Sequence, residues 1–181
     1  MILLVPECAF TLSAAKDSTM TTVFFLAVTV TGFALHLSLS KEPRTKSRVV
    51  ELLLLYLLAV NIGIGGILAW SGHTFMADEI ARKIGWQPGS PFQFEVAVAD
   101  LSWGVCGVLC IWLRQNFWVA TGIGSSVFFL GCAVGHIRQI IQEGNMAIYN
   151  AGPVLWIGDL GIPLFILILL LIRSRLERKR A

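Results

Sequence analysis

The chain has 181 residues, of which 56% are hydrophobic and 14% are charged, and its mean hydropathy is +0.75. A soluble domain of this length needs a polar surface that so few charges cannot supply, so the composition indicates a membrane protein. The net charge of +3 comes without any groove-reading or base-stacking module, so we expect no nucleic acid as a partner.

Five segments have the apolar length, roughly 20 residues, that a membrane-spanning helix needs. The predicted spans cover residues 20–39, 49–70, 95–113, 117–138 and 154–173. The predicted fold class is therefore an all-α membrane protein with five transmembrane helices. We expect one polytopic domain over residues 1–181, with a core bundle at 49–173, the first span at its flank, and residues 1–17 as an external tail or re-entrant cap.

The basic residues collect on one side of this predicted bundle. Segments 41–48 and 173–180 contain nine of the 14 Lys and Arg residues, and Arg114 in the turn between spans three and four adds a tenth. Since cytoplasmic loops carry the excess of Lys and Arg, this pattern predicts an amino terminus outside and a carboxyl terminus in the cytoplasm. The expected location is the cytoplasmic membrane, with the lipid bilayer as the first partner.

The second span carries a polar residue and a glycine-rich surface. Asn61 is expected to bond a neighbouring helix or to contact a ligand, and Gly63 and Gly66 in the sequence NIGIGG permit close helix approach. A short amphipathic helix at about 75–84 follows, with an apolar face formed by Met76, Ile80 and Ile84. We expect it to lie in the outer membrane interface, with Thr74 as its N-cap and Gly85 as its stop.

The third span, FEVAVADLSWGVCGVLCIW, contains two carboxylates near its start. Charged side chains are costly in hydrocarbon, so Glu95 and Asp100 are expected to point into the bundle. At about 100° per residue, the small and polar residues share one side of this helix: Glu95, Ala99, Ser102, Cys106 and Cys110 on one stripe, and Asp100, Gly104 and Gly107 on the next.

The fourth and fifth spans repeat this arrangement. Gly124, Gly131 and Gly135 form a predicted helix-packing stripe on span four, and His136 lies at its outer end. Asp159 lies one to two turns inside span five. Pro163 has no N–H, so we expect it to loosen the helix and free the carbonyl of Asp159.

Together the topology and the helix faces predict one polar cluster in the outer half of the bundle. Its candidate ligand-binding residues are Asp100, Asp159, His136 and Glu95, joined by His73, Asn61 and Asn150. Three carboxylates and a histidine in a low dielectric cannot all be ionised as anions, so the cluster should take up protons or a cation, or form the polar end of a small-molecule pocket. The alternative is structural: salt bridges to Arg82, Lys83 or Arg138 would only fix the helix register.

The sequence contains no recognisable catalytic set, so a membrane enzyme that uses Asp100 and His136 for acid/base chemistry ranks last among the functional hypotheses. His36 and His136 lie at opposite membrane faces and so cannot ligate one haem, which leaves His73 with His136 as the weak alternative, and no HExxH, nucleotide loop or GxSxG is present. Cys106, Cys110 and Cys132 are interpreted as packing residues. The metal and the cofactor, if any, stay unknown. The second functional hypothesis is an accessory subunit whose glycine faces bind a homo-oligomer partner or another membrane protein.

Three stretches carry a resemblance to a known family: IGWQPGSPFQFEVAVAD, FWVATGIGSSVFFLGCAVGHI and NAGPVLWIGDLGIP. They resemble a family of small prokaryotic integral membrane proteins known only as a domain of unknown function, over roughly residues 50–170. Where that family tends to have a small, glycine-containing turn, this chain has Ala147, Ile148 and Tyr149. The resemblance implies a helical membrane bundle and no activity. The chain also looks loosely like bundles of the DoxX kind, which is an analogy of fold alone.

Overall fold

A computed structural model describes the backbone of residues 5–179 and the side chains of residues 18–179. All regular structure in this part of the chain is helical: α1 (Val5–Leu39), α2 (Lys46–Phe75), α3 (Ala77–Ile84), α4 (Phe92–Leu109), α5 (Asn116–Glu143), α6 (Ile148–Ala151) and α7 (residues 154–178). Five helices in the described residues are long and apolar enough to cross a membrane: α1, α2, α4, α5, and α6 with α7 taken together. Residues 5–17, predicted as a tail, continue α1 as helix, and residues 1–4 lie outside the described residues.

Local side-chain chemistry explains several helix ends. The Thr45 hydroxyl accepts a hydrogen bond from the Arg48 N–H at 3.3 Å and caps the start of α2. Gly85 ends α3 and Gly144 ends α5, with φ values of 83° and 64° that side-chain-bearing residues rarely adopt. The predicted N-cap role of Thr74 is wrong, because Thr74 lies inside the last turn of α2 and Met76 precedes α3.

The main difference in span length concerns α4. It ends at Leu109, four residues before the predicted limit, because residues 110–113 form a turn rather than a further helical turn. The indole N–H of Trp118 donates to the Cys110 carbonyl at 2.8 Å and holds this turn against α5. In contrast, α5 continues five residues beyond the predicted end, to Glu143.

Two of these long apolar helices contain a π-helical segment, at Leu57–Ile64 in α2 and at Val154–Gly161 in α7. The second agrees with the predicted loosening by Pro163, since the Ile162 N–H just before it bonds the Ile157 carbonyl, five residues back. The Ser126 hydroxyl of α5 donates to the Pro163 carbonyl at 3.2 Å. The wide turns of these two π-helical segments contain Asn61 and Asp159.

Helices α2 and α4 form the closest pair, and their glycines explain why. Gly63 and Gly66 of α2 lie against Gly104 and Gly107 of α4. A Cβ added at Gly107 would lie 2.5 Å from the Gly63 nitrogen, and one added at Gly66 would lie 2.8 Å from the Asp100 carbonyl oxygen. Backbone contact of this kind requires residues without side chains on both helices.

Helix α5 packs through one of its three predicted glycines, Gly124, and through Gly122, which was not predicted. Gly124 faces the Trp103 ring of α4, and Gly122 faces Ile166 and Leu170 of α7, which is the main partner of α5. The predicted packing role of Gly131 and Gly135 is wrong within this chain, because a Cβ at either position would meet no atom within 4 Å. A stripe of small residues indicates either close helix packing or open space, and at Gly131 and Gly135 it faces open space.

The apolar core occupies one half of the bundle. Leu54, Leu58, Trp118, Ile166 and Leu169 are among its buried members. They lie towards the end where α2 and α5 begin and α1 and α7 finish, which also carries Arg114 and the basic segments at 41–48 and 173–179. We call this the basic end. Helix α1 packs at the flank, and most of its side chains over residues 18–39 are exposed.

Candidate functional site

The half of the bundle away from the basic end contains a cavity of about 430 Å³. Its volume lies in the range of pockets that enclose small organic molecules. Each of the five long helices contributes residues to its wall. Most of that wall is apolar or aromatic, including Phe25, Leu68, Trp86, Phe128, Phe129 and Val154.

Two carboxylates line this cavity and are almost completely buried. Asp100 is 4% exposed and Asp159 is 6% exposed. Gly66 of α2 lies against the Asp100 backbone, so the close α2–α4 contact holds this residue inside the bundle. Among the described residues, no Lys or Arg lines the cavity. Buried carboxylates without a cationic partner are strongly unfavourable unless protons or a ligand neutralise them.

His136 is held in one orientation beside Asp159. Its Nε2 lies 3.6 Å from Asp159 Oδ2, and its Nδ1 lies 2.7 Å from the Asn150 side-chain oxygen. Asn150 is 0% exposed, and its NH₂ group donates to the carbonyls of Asn145 and His136 at 2.8 and 3.4 Å. Because that NH₂ group already faces two acceptors, the Asn150 oxygen must accept from His136 Nδ1–H. In neutral His136 the lone pair is then on Nε2, towards Asp159.

His73 lines the same cavity in the opposite tautomer. Gln93 is buried, and its side-chain NH₂ donates to the Ala77 carbonyl at 2.7 Å and faces His73 Nδ1 at 3.2 Å. The contact with Ala77 fixes the Gln93 amide, so His73 Nδ1 accepts and its proton is on Nε2. Gln93 could not be predicted from the sequence, since a glutamine at the start of an apolar helix gives no signal until its tertiary partner is known.

A tryptophan covers the histidine. The Trp86 ring stacks on His136 with 6.3 Å between ring centroids and 14° between planes, and its N–H donates to the Gln139 side-chain oxygen at 3.0 Å. Asn145 donates to the same Gln139 oxygen at 3.0 Å and to the Ile84 carbonyl at 2.9 Å. These hydrogen bonds connect the end of α3, helix α5 and the loop after α5 around the site. The sequence did not predict this network either.

Two candidates lie elsewhere. Glu95 is exposed and does not line the cavity, so its predicted place in the cluster is wrong: five residues separate it from Asp100, which puts the two about 140° apart around α4. Asn61 lines a neighbouring cavity of about 180 Å³, which Asp159 also lines, and its NH₂ group donates to the Thr29 hydroxyl of α1 at 2.6 Å.

Among the residues whose side chains the structure describes, no three His, Cys, Asp or Glu groups lie close enough together to hold a metal ion. Cys106, Cys110 and Cys132 are free thiols, and Cys132 is the one that lines the cavity. The wall of this mostly apolar space contains three acceptor groups: the carboxylates of Asp100 and Asp159 and the Nε2 of His136, of which the last two lie 3.6 Å apart.

A family model matches most of the chain. The model described as Family of unknown function (DUF6790) matches residues 19–179, which include almost all of the five candidate membrane helices. Neither the curated proteins nor the solved structures contain a significant match to the chain.

Proposed function

Since the chain belongs to the family of unknown function DUF6790, its role is inferred from the site, and we propose that it binds a small amphipathic organic cation inside the membrane. The observation that carries this proposal is the pair of buried carboxylates, Asp100 and Asp159, in a mostly apolar cavity that no Lys or Arg with a described side chain lines. A protonated amine would neutralise them, and its apolar part would occupy the aromatic wall.

The acceptors favour a protonated amine in particular. An ammonium group carries N–H donors, and Asp159 and His136 Nε2, which lie 3.6 Å apart, supply two acceptors, with Asp100 on the wall of the same cavity. His136 can accept a hydrogen bond from the ammonium group, because Asn150 keeps its Nε2 unprotonated in the neutral ring. The ligand would thus be bound as a cation, with a hydrogen-bond acceptor beside it.

The charge distribution supports an orientation. With the basic end in the cytoplasm, the positive-inside rule is satisfied, the amino terminus is outside and the cavity lies in the outer half of a cytoplasmic membrane. The amphipathic helix α3 then lies at the outer interface, above the single polytopic domain of residues 1–181. The packed core of Leu54, Leu58 and Ile166 closes the bundle below the cavity, which favours binding over permeation by one chain.

The test is to compare 2-phenylethylamine with 2-phenylethanol, which has the same ring and chain but no charge, by isothermal titration calorimetry in detergent. We expect the wild-type protein to bind the amine and the Asp100→Asn, Asp159→Asn double variant to bind it at least about tenfold more weakly. The double variant should melt at or above the wild-type temperature, because it loses two uncompensated buried charges. Glu95→Gln is the matched control, since it neutralises an exposed carboxylate of α4.

The outcomes separate the alternatives. Equal binding of amine and alcohol would contradict the choice of a cation, and equal amine binding by the double variant would remove the carboxylates from the site. A double variant that fails to fold would support the structural interpretation, in which the carboxylates hold the bundle together.

The second candidate function is an accessory subunit, favoured by the open surface of α5. A Cβ added at Gly131 would meet no atom within 4 Å, and Ile123, Val127 and Val134 on the same side of the helix are exposed. In a membrane such a surface suits a second helix from another copy or another protein. We expect Gly131→Leu to disrupt co-purification of such a partner and to leave amine binding unchanged, whereas Gly135→Leu should block the cavity that Gly135 lines.

A further inference from the structure

A cluster of positively charged side chains lies at the basic end, around the turn between α4 and α5. The guanidinium carbons of Arg114 and Arg173 lie 5.4 and 5.7 Å from the centroid of the Trp118 ring. Arg114 belongs to the turn, Trp118 to the first turns of α5, and Arg173 to the last third of α7. Two like charges at one aromatic ring repel each other, so an anion beside both of them would stabilise the arrangement.

The protein satisfies these two guanidinium groups only in part. Arg114 is exposed, and its guanidinium makes no hydrogen bond or ion pair with the described residues. Arg173 is 9% exposed, its Nε has no hydrogen-bond partner, and its Nη1 lies 3.4 Å from the Gln115 carbonyl. Its Nη2 pairs with the half-exposed Glu177 at 2.8 Å, and this is the only carboxylate that pairs with either guanidinium among the described residues. The pair of arginines therefore keeps a net positive charge and unused donors.

The surroundings indicate which anion fits. Ile111, Trp112 and Leu113, in the same turn as Arg114, are all exposed. A tryptophan and two aliphatic residues beside a basic cluster are typical of the level where lipid headgroups meet acyl chains. Arginine forks match the geometry of phosphate oxygens. A free phosphate ion would use the arginines but not this apolar border, whereas a phospholipid uses both.

We propose that Arg114 and Arg173, held on Trp118, bind the phosphate of an anionic phospholipid at the basic end of the bundle. Basic pockets between membrane helices are suited to such headgroups. Arg173 also fixes the Gln115 carbonyl, at a residue with a φ of 56°, so its replacement would disturb the turn itself. Arg114 is the better probe, because its described contact is the ring of Trp118 alone. This proposal is independent of the cavity and its ligand.

The experiment is native mass spectrometry of the full chain in detergent with equal amounts of phosphatidylglycerol and phosphatidylcholine of the same acyl chains. Wild type should retain phosphatidylglycerol preferentially, and Arg114→Gln should lower that retention about fivefold, the effect of one basic residue beside an anionic headgroup. Arg175→Gln is the matched control, because it removes the same charge from an exposed position on the same end of α7. It should keep the wild-type retention.

Three outcomes would overturn the proposal. Equal retention by Arg114→Gln and wild type would remove the site, and an equal loss in Arg175→Gln would reduce it to diffuse surface charge. Displacement of the lipid by inorganic phosphate at about its own concentration would assign the site to a free anion rather than to a lipid. Arg114→Gln should melt within about 2 °C of wild type and bind 2-phenylethylamine normally, so its result does not depend on the proposed cavity function.

Discussion

Replacing Gly107 by Ala should lower the free energy of unfolding by about 3 kcal/mol, because the added methyl group has no space between α2 and α4. Its carbon would lie 2.5 Å from the Gly63 nitrogen and 2.6 Å from the Leu58 carbonyl oxygen, and both are backbone atoms that no rotamer change can move. The two helices would have to separate along their whole contact. Denaturation in detergent, followed by tryptophan fluorescence, measures the effect.

Gly131→Ala is the matched control for this substitution. It adds the same methyl group to a membrane helix at a position with no neighbour within 4 Å. Ala favours a helix over Gly by about 1 kcal/mol, so this variant should be as stable as wild type or more so. If Gly107→Ala and Gly131→Ala unfold at the same denaturant concentration, the close α2–α4 contact does not exist in solution.

Asn150→Ala should be the most damaging change at the site itself, at about 3 kcal/mol, because it leaves several buried polar groups unpaired. The carbonyls of Asn145 and His136 lose their donor, and His136 Nδ1 loses its acceptor at 2.7 Å. Gln142→Ala is the control. That residue is an exposed amide on α5 that accepts only from Arg138, so its loss should cost under about 0.5 kcal/mol.

Histidine ¹⁵N NMR provides a readout of the same interaction that stability alone does not give. The chain has three histidines, so each ring can be assigned by substitution. In wild type at a pH where the ring is neutral, the His136 proton should be on Nδ1, and in Asn150→Ala it should distribute between both nitrogens. A wild-type ring with its proton on Nε2 would contradict the geometry inferred for the site.

The sequence predicts the helices well because each span is one continuous apolar segment. It also predicts that Asp100, Asp159 and His136 lie at one depth, since topology and rise per residue decide that. The sequence does not predict features that depend on the rotation of a residue around its helix or on partners distant in the chain. Glu95 and Asp100 look adjacent along the chain but face different sides of α4. Gln93 and Asn145 become informative only when the fold brings them to His73 and Gln139. The early end of α4 likewise depends on a bond from Trp118.

The π-helical segment of α7 decides where its carboxylate points. Each hydrogen bond there encloses one residue more than in an α-helix, and one residue corresponds to about 100° of rotation. If residues 154–161 were regular α-helix, the residues before Val154 would be turned by about that angle relative to Ile166 and Leu170 in the core, and Asp159, inside the segment, by part of it. Asp159 would then point in a different direction relative to the cavity. Pro163 does not line that cavity, but it helps to set the direction of Asp159, which does.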